Sequence, residues 1–244
     1  MRVKPVPRKN LVARARLSAE EFRRALGDPT PYAVRTVIKP AIYDPDVETV
    51  TQALRTGCVS DIDPAHCVHR VLASEAYRES ARARIGDLDL VRASPTLKIY
   101  RKRGTDDYIG AVRGTADGDD LIADAALAAG ALRSTQRYRQ DRAVLENFLA
   151  STPAARLGLA GHSLGGAVAR ELAGEFGHHV RGGVTFNSAF DASQLGGGSR
   201  GFVNYFNSSD PLYALAKPFV PDLRVVRADH LDPLEAHRLR SFES

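Results

Sequence analysis

Six residues in the middle of the chain have the types and spacing for nucleophilic chemistry: Gly161-His162-Ser163-Leu164-Gly165-Gly166. An apolar run at 157–160 leads into them, and a helix-favouring stretch of small residues follows. That is strand, sharp turn, helix, with a serine at the apex. The strained turn leaves no room for bulk beside the serine, and Gly161 and Gly165 keep the space clear. The Ser163 hydroxyl is lifted away from the backbone at the start of a helix. There, free N–H groups and the positive dipole end favour a developing oxyanion. A bare G-x-S-x-G arises by chance in roughly one chain of this length in ten at average composition. The strand before it, the helix after it and the extra Gly166 favour a nucleophile elbow over the alternative, a Gly-rich turn that merely packs. His162 is too close to Ser163 along the chain to aim at it, and is expected to pack or to contact substrate.

A serine hydroxyl near neutral pH is a weak nucleophile. It needs a base in hydrogen-bond reach, and the base needs an acid to hold its tautomer. On strand–elbow–helix scaffolds the chain order is Ser, acid, His, and the working residues sit in loops at the carboxyl ends of strands. The search therefore falls on loops beyond residue 170. Asp210 follows directly on an apolar strand at 202–206, and Pro211 stiffens its turn. A bland role for Asp210, capping that turn, is the alternative. Asp191 follows a strand at 184–186 less closely, Asp222 precedes a strand, and Asp229 and Asp232 lie beyond the last one. His178 and His179 fall between a helix and the next strand, on the far side of the sheet. His230 and His237 both follow the last strand and both can be reached. His237, in a short helical turn, is preferred as the base, with His230 the alternative.

A tetrahedral oxyanion needs two donors. The backbone N–H of Leu164 is one. Gly114-Thr115, after an earlier strand, is suited to supply the other, through a close backbone approach and the Thr115 hydroxyl. This chemistry asks for no metal and no organic cofactor.

The elements that must position these residues are readable in outline. Residues 1–17, with Pro5 and Pro7, form an irregular arm. Ser18-Ala19-Glu20-Glu21 has capping-box spacing and starts a short helix that stops at Gly27. Asp44-Pro45 and Asp63-Pro64 each place an N-cap before a proline. They predict one helix to about residue 55 and another helix or helix pair to about residue 84, with Gly86 as its stop. The segment 18–90 therefore reads as mostly helical. His66-Cys67-Val68-His69 with Cys58 suggests a metal cluster, but the spacing fits no common zinc pattern, and ordinary helix residues are the preferred reading. From residue 87 the pattern alternates. Strands at 97–101 and 108–112 flank Gly104-Thr105-Asp106-Asp107 as a hairpin. A small-residue segment at 121–132 follows. An amphipathic helix at 134–150 has Val144, Leu145, Phe148 and Leu149 as its apolar stripe, with Arg137, Arg139, Asp141 and Arg142 mostly on its wet side. The elbow helix is expected to end near Phe176. Strands at 184–186, 202–206 and 223–226 complete a pattern of alternating strands and helices, which predicts a mainly parallel sheet flanked by helices.

At 244 residues, with 43% hydrophobic and 26% charged residues, the chain is expected to be a soluble globular protein with one α/β domain over 18–244. No apolar run reaches the length of a membrane helix. The first residues are charged but have no apolar core, so no Sec-type signal is read. The expectation is a cytoplasmic protein, one exported by another route, or one whose leader has been removed. Two cysteines, Cys58 and Cys67, leave bridged and reduced states open. The net charge is +5. The first 24 residues carry eight Arg or Lys against two Glu. This reads first as a solvated arm, and second as a surface for anionic lipid; nucleic acid is not the expected partner.

Arg113-Gly114-Thr115, Asp119-Asp120-Leu121-Ile122-Ala123-Asp124, the Gly161–Gly166 motif, Val203-x-Tyr205-x-Asn207-x-x-Asp210 and a late histidine, in that order, resemble the lipase class 3 (fungal-type triacylglycerol lipase) family of the α/β-hydrolase fold. The resemblance covers about 95–240. It implies a Ser163–Asp210–His237 triad, with Thr115 and Leu164 as oxyanion donors. It also implies a lid at 116–133 over an acyl-binding cleft; a plain core helix is the alternative there. The chain departs from the family at Pro211 after the acid and at Ile122, where an aromatic is common, and the stretch around His237 matches loosely. The activity implied is hydrolysis of lipid or small acyl esters. A phospholipase or an acyltransferase would use the same triad. A non-catalytic binding protein working through its basic arm is the rival from another class.

Overall fold

The computed structural model describes residues 53, 55, 57–115, 132–190, 201–218, 220, 222–227 and 232–243. The basic arm, the helices expected before residue 53, residues 116–131 of the expected lid, Asp191, Asp229 and His230 lie outside the described residues.

The first long helix, α1 (Pro64–Glu75), starts as its sequence asks. Asp63 is its N-cap and accepts from the Ala65 amide at 3.0 Å, with Pro64 at N1. Its end differs from expectation, for it stops at Glu75 and does not run on toward residue 84. The cause is tertiary. The Lys98 ammonium arrives from a strand and donates to the carbonyls of Glu75 (2.6 Å), Ala76 (3.1 Å) and Arg78. The Glu75 carbonyl also accepts from the Arg78 amide at 3.1 Å, so at the end of the helix Lys98 supplies a donor chiefly to the carbonyls of Ala76 and Arg78. The segment read as helical to residue 90 then turns into sheet.

Strands β1 (Arg84–Ile85), β2 (Leu88–Ala93), β3 (Leu97–Lys102) and β4 (Asp107–Val112) form an antiparallel meander. β5 (Arg156–His162), β6 (Val180–Phe186), β7 (Phe202–Asn207) and β8 (Leu223–Val226) add to β4 in parallel. The eight strands lie in the order of the sequence. Between them run α2 (Gln136–Ser151), α3 (Leu164–Glu175) and α4 (Pro211–Ala216), and α5 (Pro233–His237) follows β8. This is the α/β arrangement that the alternating pattern predicts.

Strand order matters to the packing. From β4 to β8 the sheet grows in one direction, so crossovers of one hand put their helices on one face. Tyr138, Leu145 and Phe148 of α2, Val168 and Leu172 of α3, and Leu212 of α4 share a core with Leu157, Leu159 and Phe206 of the sheet. The opposite face is covered from the chain ends. Val68, Val71 and Leu72 of α1, with Leu239 and Phe242 near the C-terminus, pack on Ile109, Ala160, Val184 and Tyr205. Asp141 corrects the expected wet side of α2: it is fully buried and accepts from Thr96 Oγ1 and, at 2.7 Å, from Arg137 Nε. Cys58 and Cys67 form a disulfide that ties the chain before α1 to that helix, and Cys67 is therefore no free metal ligand. No helix among the described residues is long and apolar enough to cross a membrane.

Lys98→Met keeps the apolar stem but removes the donors at the end of α1. It is expected to lower the unfolding free energy by about 1–3 kcal/mol, the cost of leaving the buried Ala76 carbonyl without a donor. Urea unfolding reads this directly, and an unshifted midpoint would show that the cap contributes nothing.

Candidate active site

The elbow is built by close backbone packing. Val112 of β4 pairs with Gly161 of β5, which sets the loop after β4 beside the turn at Ser163. Ser163 has φ 54° and ψ −128°, a left-handed backbone that a non-glycine residue adopts at a cost. Its surroundings hold it there. The Ser163 amide donates to Phe186 O at 3.1 Å, and its carbonyl accepts from Gly166 and Ala189, both at 3.0 Å. A Cβ on Gly161 would lie 2.5 Å from Gly165 O, and one on Gly165 would strike Val112 O and Arg113. The two glycines are needed for that contact. Ser163 stands at the N-cap of α3, yet its side chain makes no cap bond. The hydroxyl is committed elsewhere.

Its partner is His237, with Ser163 Oγ 2.9 Å from His237 Nε2. His237 Nδ1 lies 2.8 Å from Asp210 Oδ2. A carboxylate can only accept, so Nδ1 carries the proton and Nε2 is left bare to accept from the serine hydroxyl. All three side chains are buried. Asp210 also caps its turn: as N-cap of α4 it accepts from the Leu212 amide at 2.7 Å through Oδ1, which leaves Oδ2 for the histidine. His237 closes α5, a single turn that starts after Asp232, whose carboxylate caps it at the Leu234 amide. Asp232 is therefore occupied as a cap. Asp222 precedes β8, and its carbonyl accepts from Asn204 N at 3.0 Å. His178 and His179 lie between α3 and β6, at the end of the sheet away from the elbow. The competing candidates His230 and Asp191 lie outside the described residues.

The loop after β4 reaches the nucleophile. A Cβ on Gly114 would lie 3.3 Å from Ser163 Cβ and 2.6 Å from His162 O. Thr115 follows it and is half-buried, as is Leu164 at the start of α3. The backbone of the loop that carries Thr115 is thus in contact with the elbow.

Three residues hold the constellation from behind. Asn187, at the end of β6 with φ 43°, donates from Nδ2 to Ala236 O (2.7 Å) and His237 O (3.1 Å). Its Oδ1 accepts from Asn207 N at 2.9 Å. It therefore joins the segment of the histidine to the strand that ends before Asp210. An Asn after a buried strand, at a site that tolerates left-handed backbone, was the available sequence signal, and it carries no unique meaning. His162 packs rather than aiming at the reaction centre. Its Nε2 lies 2.7 Å from His237 O and its Nδ1 2.7 Å from Tyr77 Oη. Burial, aided by nearby His237, pushes its pKa down to about 3. Tyr77, just past α1, carries no motif that marks it in the sequence.

The mostly parallel sheet, the elbow and the serine–histidine–aspartate contacts define an α/β-hydrolase fold. No protein-family model matches the sequence, and no curated protein matches it. Among solved structures the chain is similar to a triacylglycerol lipase from Penicillium expansum, at 17% identity and TM-score 0.41, over 58% of this chain and 69% of that one. It is similar to the Lip2 lipase from Yarrowia lipolytica at 16% identity and TM-score 0.39, over 69% and 80% of the two chains. It is also similar to Rhizomucor miehei lipase in its propeptide complex, at 14% identity and TM-score 0.39, over 79% and 72%.

His162 and His69 are both buried, and burial pushes each pKa down to about 3. An unfolded histidine titrates near 6.5. Below that pH the unfolded chain binds protons that the folded chain refuses, so each group withdraws stability as pH falls from about 6.5 toward about 3. The urea midpoint is expected to drop clearly between about pH 7 and about pH 4.5. Equal midpoints at the two pH values would contradict a buried, neutral pair.

Proposed function

We propose that the protein is a serine carboxylic-ester hydrolase acting on lipid or small acyl esters. One observation carries the reading: Ser163 Oγ lies 2.9 Å from His237 Nε2, and His237 Nδ1 lies 2.8 Å from Asp210 Oδ2. In this reading Ser163 attacks the ester carbonyl carbon, and its proton passes to His237 Nε2. The amide of Leu164 and the donors of Thr115 take the charge of the tetrahedral oxyanion. Collapse expels the alcohol, which leaves with the proton from His237. Water then attacks the acyl-enzyme by the same route, and the acid is released. Asp210 holds the tautomer and stabilises the imidazolium. No metal enters any step.

Lipid as the substrate class is supported by the resemblance of the Arg113-Gly114-Thr115 and Gly161–Gly166 motifs to fungal-type lipases. A phospholipase differs from this in the headgroup, and an acyltransferase in the acceptor that replaces water. Anionic membrane binding through the basic arm is a further part of this reading.

The test is turnover of p-nitrophenyl esters of graded chain length. Ser163→Ala is expected to abolish measurable turnover and fluorophosphonate labelling, while the wild type shows both. A wild type that neither turns over any ester nor takes the label at Ser163 overturns the proposal. Thr115→Val is expected to lower kcat by about 10²–10³, the usual cost of one oxyanion donor. A Thr115→Val enzyme with wild-type kcat would remove that hydroxyl from the mechanism.

A further inference from the structure

Behind the candidate triad runs a chain of hydrogen bonds with a fixed direction. The Gly114 amide donates to Tyr77 Oη at 3.1 Å. Tyr77 Oη lies 2.7 Å from His162 Nδ1, and His162 Nε2 lies 2.7 Å from His237 O. The two ends set the roles in between. A backbone carbonyl only accepts, so Nε2 of His162 must carry its proton. A neutral imidazole then has a bare Nδ1, which accepts from Tyr77 O–H. The phenol oxygen is left to receive the Gly114 amide. Each bond has one direction, and reversing any one breaks the chain.

The buried environment supports these roles. His162 is 4% exposed, and its pKa is pushed down to about 3 by burial and by His237, so it stays neutral over the working range. Burial raises the phenol of Tyr77 above its ordinary range, so it stays a donor. The Arg113 guanidinium carbon sits 5.9 Å from the centroid of the same ring.

The two ends of the chain are the two halves of the site. Gly114 precedes Thr115, the candidate oxyanion donor, and contacts the elbow. His237 is the candidate base, and its backbone is held at the same carbonyl by Asn187. We infer that Tyr77 and His162 are positioning residues that set the distance and angle between the oxyanion loop and the base. The inference rests on the hydrolase reading given above. It assigns Tyr77, a residue of the covering N-terminal segment, a role in turnover and not only in packing.

Tyr77→Phe deletes one oxygen and keeps the ring. It is expected to lower kcat on a short p-nitrophenyl ester by about 10-fold to 100-fold with KM changed by less than about 3-fold, because interactions that position the transition state act on kcat. His162→Leu is expected to do the same. His162→Gln, which keeps one donor and one acceptor, is expected to recover most of that loss. Tyr138→Phe is the structural control. It deletes another phenol bond, to Glu175 at 2.6 Å on the opposite face, and is expected to leave kcat unchanged. The proposal is overturned if Tyr77→Phe behaves as Tyr138→Phe does, or if His162→Gln is no better than His162→Leu.

A second readout needs no substrate. In protein labelled with ¹⁵N-histidine, His162 is expected as the neutral Nε2–H tautomer, unchanged between about pH 8 and about pH 5. Tyr77→Phe is expected to mix the two tautomers. An Nδ1–H signal for His162 in the wild type overturns the network. If the wild type is inert toward every ester and toward fluorophosphonate, the hydrolase reading fails, and the network is judged on the tautomer alone.

Discussion

The structure depends on one tight backbone contact, where β4, β5 and the start of α3 meet. Gly161 faces Gly165 at a distance that excludes any Cβ, and Gly165 faces Val112 and Arg113 in the same way. That approach lets the chain reverse within two residues and puts Ser163 into a left-handed backbone. The strain is held by hydrogen bonds from β6 and from Ala189, so the elbow cannot relax without disturbing the sheet. Because the serine points away from its own helix, its hydroxyl is free for His237. Widening the turn by one methyl group would move the nucleophile, the oxyanion loop and the first turn of α3 together.

The strand order creates a second constraint. A parallel sheet that grows in one direction receives its crossover helices on one face and leaves the other bare. Here α1 and the C-terminal segment cover that bare face. Covering it does more than bury apolar surface. It carries Tyr77 to the back of the elbow and carries His237 to the front, and His162 lies between them. Segments that look like peripheral additions in the sequence thus meet at the centre of the site.

Local physics explains what was legible. The elbow, Asp63-Pro64 and the strand pairs around Gly104 depend on neighbours a few residues away, so their residue types announce them. Strand β8 at 223–226 and the hairpin at 97–112 fall where the alternation put them. The end of α1 did not, because the group that stops it is Lys98, 23 residues further on. Asp141 looked like a wet-side residue because its spacing on the helix is all that a sequence shows. Its burial comes from Thr96, a partner on another element.

The sequence by itself determined the types of the candidate groups and their order, since a serine at a glycine-flanked turn, an aspartate after a strand and a late histidine are local patterns. Tertiary structure alone decided that His237 meets both Ser163 and Asp210, that Asn187 and Tyr77 stand behind them, and that Cys58 and Cys67 are bridged. The physical reason is distance along the chain. A hydrogen bond between residues 74 or 85 positions apart leaves no periodicity and no motif in either neighbourhood. It exists because the sheet brings both neighbourhoods to the same edge.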